Sequence, residues 1–259
     1  MASRVPATLA ILIDGDNASP KIISGLLAEV ANYGVASVKR VYGDWTGSNL
    51  KGWKECLLEH SLQPVQQFAY TSGKNATDGA MIIDAMDLLY TGRFSGFCIV
   101  SSDSDFARLA ARLREQGVTV YGFGERKTPR PFITACDKFV YFDVLNVGSA
   151  TAPAVQAIPA KPAPVADANP KPVASGPRLD RAALAMLATA VEASADEDGR
   201  ANLGQVGSHL AKQAPDFDAR NYGYSRLSDL AEASGILDVE RLGDPKVITV
   251  RLKARVGKR

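Results

Sequence analysis

Carboxylates recur in this 259-residue chain at places where a fold could gather them. Asp14-Gly15-Asp16-Asn17 follows the apolar run Leu9–Ile13, and Ser101-Ser102-Asp103-Ser104-Asp105-Phe106 follows Gly96–Val100. A third segment, Lys74 through Asp78 to Asp84, opens a helix. Asp14, Asp78, Asp103 and Asp105 are therefore candidate catalytic and metal-ligating residues. Carboxylates brought together resist joint ionisation unless a cation shares the site. Oxygen-only ligands favour a hard ion, Mg²⁺ or Mn²⁺, over zinc. Such ions can activate water and hold the oxygens of a phosphodiester during in-line displacement.

Each acid also has a plainer reading. Asp103 or Asp105 could cap the helix beginning near residue 105, and Asn17 could cap the one at Pro20. Asp78 could be an ordinary first-turn acid. Asp14, after its apolar run, is harder to explain structurally. Asp84 lies about 240° around the helix from Asp78, so the two do not share a face. It is expected at the edge of the centre.

The elements that would position these acids alternate. Strands are expected at Thr8–Ile13, Ala36–Tyr42, Pro64–Phe68, Gly96–Ser101, Thr119–Phe123 and Phe139–Phe142. Between them fall helices Pro20–Asn32, Asn49–His60, Thr77–Tyr90, Asp105–Gln116 and Arg130–Cys136. This alternation predicts an α/β fold with a parallel sheet and helices on both faces. Ligands bind such sheets beyond the carboxyl ends of the strands, where strand order reverses, and the acids fall at those ends.

Composition narrows the classes. With 30 basic and 28 acidic residues, 46% hydrophobic and 22% charged, the chain is ordinary globular protein. No apolar run approaches the roughly 20 residues that span a bilayer. Three scattered cysteines suggest neither a disulfide framework nor a zinc site, and a cytoplasmic location is expected. Two histidines leave little room for histidine-based catalysis. Residues 149–177 hold seven of the 14 prolines and no aromatic residue. They predict a disordered spacer reaching at most roughly 90 Å. The domains are thus expected at 1–148 and 178–253, with a basic tail at 254–259.

Taken together, the IDGDN run, the spacing Lys74–Asp78–Asp84 and the SSDSDF run resemble the LabA-like NYN domain of the PIN-like nuclease superfamily, over about residues 8–145. The resemblance implies a Rossmann-like sheet and metal-dependent RNA cleavage. It places Asp14, Asp78, Asp103 and Asp105 in the acidic centre, with Asn17 and Ser101 supporting it. A haloacid-dehalogenase-type phosphatase is a rival, since Asp14-Gly15-Asp16 imitates its nucleophile and acid. The Thr or Ser expected shortly after the second Asp is replaced by Asn17 and Ala18.

Lys74, Arg126, Lys127 and Arg130 lie in expected loops near the strand ends and could bind RNA phosphates. Trp45 and Trp53 could stack on bases, although packing is the better reading for Trp53. In the second domain, helices Arg178–Ser194, Leu203–Gln213 and Tyr224–Ser234 precede strands Gly235–Glu240 and Lys246–Leu252, a winged-helix-like pattern. The phrases from Gly204 to Leu210 and from Tyr222 to Leu230 resemble the OST-HTH/LOTUS domain. That resemblance implies RNA binding, or protein binding in some members. Arg220, Arg226 and Lys246 are contact candidates, though a solvated face explains them nearly as well. Two classes follow: a metal-dependent ribonuclease with a tethered RNA-binding module, or a non-catalytic RNA-binding or adaptor protein keeping the fold.

Overall fold

The computed structural model describes residues 6–68, 76–145, 179–242 and 247–253. Lys74, Lys246, the Pro/Ala-rich spacer and the basic tail lie outside these described residues.

Strands β1 (Thr8–Asp14), β2 (Val35–Gly43), β3 (Gln63–Gln66), β4 (Gly96–Val100), β5 (Thr119–Gly124) and β6 (Lys138–Tyr141) form one parallel sheet. Its order is β3-β2-β1-β4-β5-β6. Side chains of β1 alternate between two cores, as the period of two requires. Leu9, Ile11 and Ile13 join one core with Leu26, Val30 and Trp53. Ala10 and Leu12 join the other with Met81, Phe106 and Leu113. Both faces are covered, so the central strands carry no polar side.

Helices α1 (Ile23–Ala31), α2 (Lys51–Cys56), α3 (Ala76–Tyr90), α4 (Phe106–Glu115), α5 (Arg130–Ala135) and α6 (Phe142–Leu145) surround the sheet. The expected helix from Pro20 begins as a 3-10 turn, Pro20–Ile22, capped by Ser19 rather than Asn17. The expected helix at 49–60 shortens to Lys51–Cys56. Strand order reverses between β1 and β4, where Ile13 pairs with Val100. The two acidic loops therefore leave the sheet side by side.

The second domain packs α7 (Arg181–Ser194), α8 (Leu203–Gln213) and α9 (Leu227–Ala233) on a small antiparallel sheet. That sheet has order β7 (Arg200–Asn202), β9 (Val247–Leu252), β8 (Leu237–Leu242). The short β7 was not foreseen. Its three residues carry no periodic signal and are fixed by pairing with β9. Among the described residues no helix is long and apolar enough to cross a membrane. The three cysteines are unpaired.

The two domains are in contact. The Phe139 amide on the free edge of β6 donates to the Pro215 carbonyl at 2.8 Å. Arg220 forks onto the carboxylate of Glu29 on α1, at 2.8 and 3.0 Å, and also pairs with Asp218. Burial pushes the carboxyl groups of Glu29 and Asp218 upward. Hydrogen bonds and charge from Arg220 outweigh it, aided by the Tyr33 hydroxyl at Glu29 and by Lys138, and both end below their ordinary values.

Depressed carboxyl groups contribute stability that is present above their ordinary range and lost as pH falls through the lowered values. Docking should therefore hold at neutral pH and be lost only as pH falls below the ordinary carboxylate range. Small-angle scattering across an acid titration checks this. Expansion near neutral pH would contradict it.

Candidate metal and nuclease centre

Asp14 ends β1 and is fully buried. Glycine follows because a Cβ at position 15 would meet the Tyr42 carbonyl oxygen at 2.8 Å. The chain can thus turn tightly against β2 while keeping Asp14 inside. A buried carboxylate requires donors, and Asp14 has four. The side chains of Asn17 and Ser101 donate to Oδ2 at 2.7 and 2.8 Å. The amides of Asp16 and Asn17 donate to Oδ1, each at 3.2 Å. These four contacts match the acceptor capacity of a carboxylate. Burial raises the Asp14 carboxyl above its ordinary value, against the opposing pull of the Asn17 and Ser101 bonds.

Ser101 links the two acidic loops. Its hydroxyl donates to Asp14 and accepts from the Asp103 amide at 3.1 Å. Asp103 in turn accepts from the Asp105 amide at 2.9 Å. Asp105 occupies the N-cap position of α4 but makes no side-chain capping bond. Of the plainer readings, side-chain capping by Asp105 is thus absent. Asp78, in the first turn of α3, completes the group.

One oxygen from each of Asp78, Asp103 and Asp105 lies within 4.8 Å of the others. Burial pushes the Asp78 carboxyl up to about 6, reinforced by the charges of Asp14, Asp103, Asp105 and Asp16. This all-oxygen set and its mutual repulsion suit a hard divalent cation. Asp14 raises Asp78 electrostatically, with its own oxygens engaged by donors.

Other expected residues fall elsewhere. Asp84 does not edge the trio: it binds Arg40 and the Tyr42 hydroxyl, both from β2. Helix rotation turns it toward that strand. Trp53 is core, its indole donating to the Ala18 carbonyl, and Trp45 is half-buried against the Val65 carbonyl. Lys127 pairs with Glu125. Arg126 contacts Asp143, Asn221 and the face of Tyr141. Arg130 meets both oxygens of Asp216 at 2.9 Å. Arg220 lies in the domain seam, and Arg226 is exposed at the start of α9.

Three contributors escaped sequence reasoning. Asp16 adds charge beside Asp78 and accepts from the Thr77 hydroxyl at 3.0 Å. Its position two residues after Asp14 was the available signal. Ser102 accepts from the Glu125 amide at 2.9 Å, tying the basic loop to the acidic one. Asp216 engages that basic loop from the second domain, and no local pattern marks it.

Comparisons with known proteins place this geometry. A family model for the NYN domain matches residues 8–145, and one for the OST-HTH/LOTUS domain matches residues 177–249. Among solved structures, a Vibrio parahaemolyticus protein of unknown function is 19% identical, with a TM-score of 0.45. The match covers 54% of this chain and 96% of that one. An uncharacterized Nitrosomonas europaea protein is 34% identical, with a TM-score of 0.30, over 38% of this chain and 98% of that one. No curated protein matches. The NYN model implies a PIN-like nuclease, and the OST-HTH model an RNA-binding module. On the sheet, the acidic centre and the model that spans them, the chain belongs to the NYN domain family, followed by an OST-HTH/LOTUS domain.

Proposed function

We propose that the protein is a metal-dependent ribonuclease whose second domain contributes RNA binding. The observation that carries this reading is the trio Asp78, Asp103 and Asp105, with one oxygen of each within 4.8 Å of the others. These three would hold Mg²⁺ or Mn²⁺. The cation, when bound, supplies Lewis acidity toward a phosphodiester oxygen and lowers the pKa of a coordinated water. Asp14 fixes Asn17 and Ser101, and through Ser101 the backbone of the Asp103 loop. Lys127 and Arg226 are the cations proposed to meet RNA phosphates outside the domain seam, and Lys74, which lies outside the described residues, is proposed for the same role. Lys246 has the same assignment on the second domain.

Two outcomes follow from the trio. Mn²⁺ at about a hundred times its dissociation constant should stabilise the full chain by roughly 2.7 kcal/mol. Asp103→Asn should abolish that thermal shift without unfolding the protein. The same substitution should slow cleavage of single-stranded RNA about a hundredfold or more, a loss of several kcal/mol of transition-state stabilisation. Wild-type cleavage by Asp103→Asn would sink the catalytic assignment. A wild type that binds RNA without cutting it would favour the adaptor reading.

Asp84 gives a contrasting result. Asp84→Ala leaves the Arg40 guanidinium and the Tyr42 hydroxyl without their partner. It should cost about 1–3 kcal/mol of stability, read as a lower melting temperature. The Mn²⁺-induced shift should persist. Loss of that shift at full stability would return Asp84 to the metal centre.

A further inference from the structure

The seam between the domains meets the RNA-facing loop at a position suited to a phosphate. We infer that the carboxylate of Asp216 stands in for an RNA phosphodiester on Arg130, with Asn221 occupying the neighbouring Arg126, so that domain docking and RNA binding at this loop compete. The inference rests on the ribonuclease reading and specifies how access to that site is regulated.

The basic loop from Gly124 to Arg130 is joined directly to the acidic loop. The Glu125 amide donates to Ser102 Oγ, and the Ser101 amide donates to the Phe123 carbonyl at 3.0 Å. Close packing holds the junction rigid: a Cβ at Gly124 would meet Thr128 Oγ1 at 2.5 Å and the Ser101 carbonyl at 2.8 Å. Arg126 and Arg130 therefore stand one loop away from the acidic trio. Both remain substantially exposed, yet both are engaged by the second domain. Arg130 meets two oxygens of Asp216, the Tyr141 hydroxyl donates to the same carboxylate at 2.9 Å, and Arg126 reaches Asn221. Arginine recognises carboxylate and phosphate by similar charge-assisted hydrogen bonds. A phosphate held by Arg130 would take the place of Asp216, and one reaching Arg126 would displace Asn221.

The rest of the seam does not use the loop's own side chains. Phe139 bonds to Pro215, the residue before Asp216, along the β6 edge, and Arg220, the residue before Asn221, is anchored on Glu29 of α1. Weakening this anchor should free the loop without altering any residue in it. Arg220→Gln then gives an unusual expectation: removing a cation tightens RNA binding. Were Arg220 itself an RNA contact, the same substitution would weaken binding.

The test uses the full chain carrying Asp103→Asn to prevent cleavage and a single-stranded RNA oligonucleotide as probe. RNA should accelerate hydrogen exchange of the Phe139 amide and increase the radius of gyration. Asp216→Asn and Arg220→Gln should each lower the dissociation constant several-fold. Glu29→Gln, which removes the other half of this anchor, serves if Arg220→Gln does not fold and should act in the same direction. RNA binding with unchanged Phe139 exchange, or with affinity unchanged or weakened by the anchor variants, overturns the competition and leaves the ribonuclease reading standing. Absence of RNA binding by every variant overturns both.

Discussion

A charge buried at the end of a strand organises the acidic centre. Asp14 is 0% exposed, and a carboxylate placed there is tolerable only when its oxygens are satisfied. Asn17, Ser101 and two backbone amides meet that demand. In doing so they fix the loop after β1 and join it to the loop after β4. The same negative charge helps to raise Asp78 on a third element. One buried group thus orders its neighbours by hydrogen bonding and opposes the ionisation of Asp78 by repulsion. The centre is held in readiness for a positive charge.

Much of this was legible because the signals are local. Apolar runs of five or six residues ended in Asp14 and Ser101, and alternation with helical segments placed both at one edge of a parallel sheet. The six expected strands occur in order, with ends shifted by a residue or two. The ambiguity over caps was also local, but composition could not resolve it. Ser19 and Asn17 are both acceptable caps, and the hydrogen-bond demand of buried Asp14 captures Asn17. Rotation around α3 separated Asp84 from Asp78 correctly. It could not reveal Arg40 and Tyr42 as partners, because they come from another strand more than forty residues earlier in the chain.

The domain seam was hidden for the same reason. Arg126, Arg130 and Arg220 read as a basic surface when each is considered with its neighbours in sequence. Their partners Asn221, Asp216 and Glu29 lie across the fold.

The seam is also unequal along its length. At its α1 end Glu29 is 8% exposed and Arg220 27%, and two further charged groups, Asp218 and Lys138, lie close by. At the loop end Arg130 is 59% exposed. Water and salt screen the outer pair more than the inner one, so its attraction is weaker and more easily exchanged. The contact most open to a solvated polyanion is therefore the contact beside the acidic centre. The buried pair supplies the more persistent hold. This difference in solvation makes the loop end of the seam the first to yield to a competing anion and the inner pair the last to release.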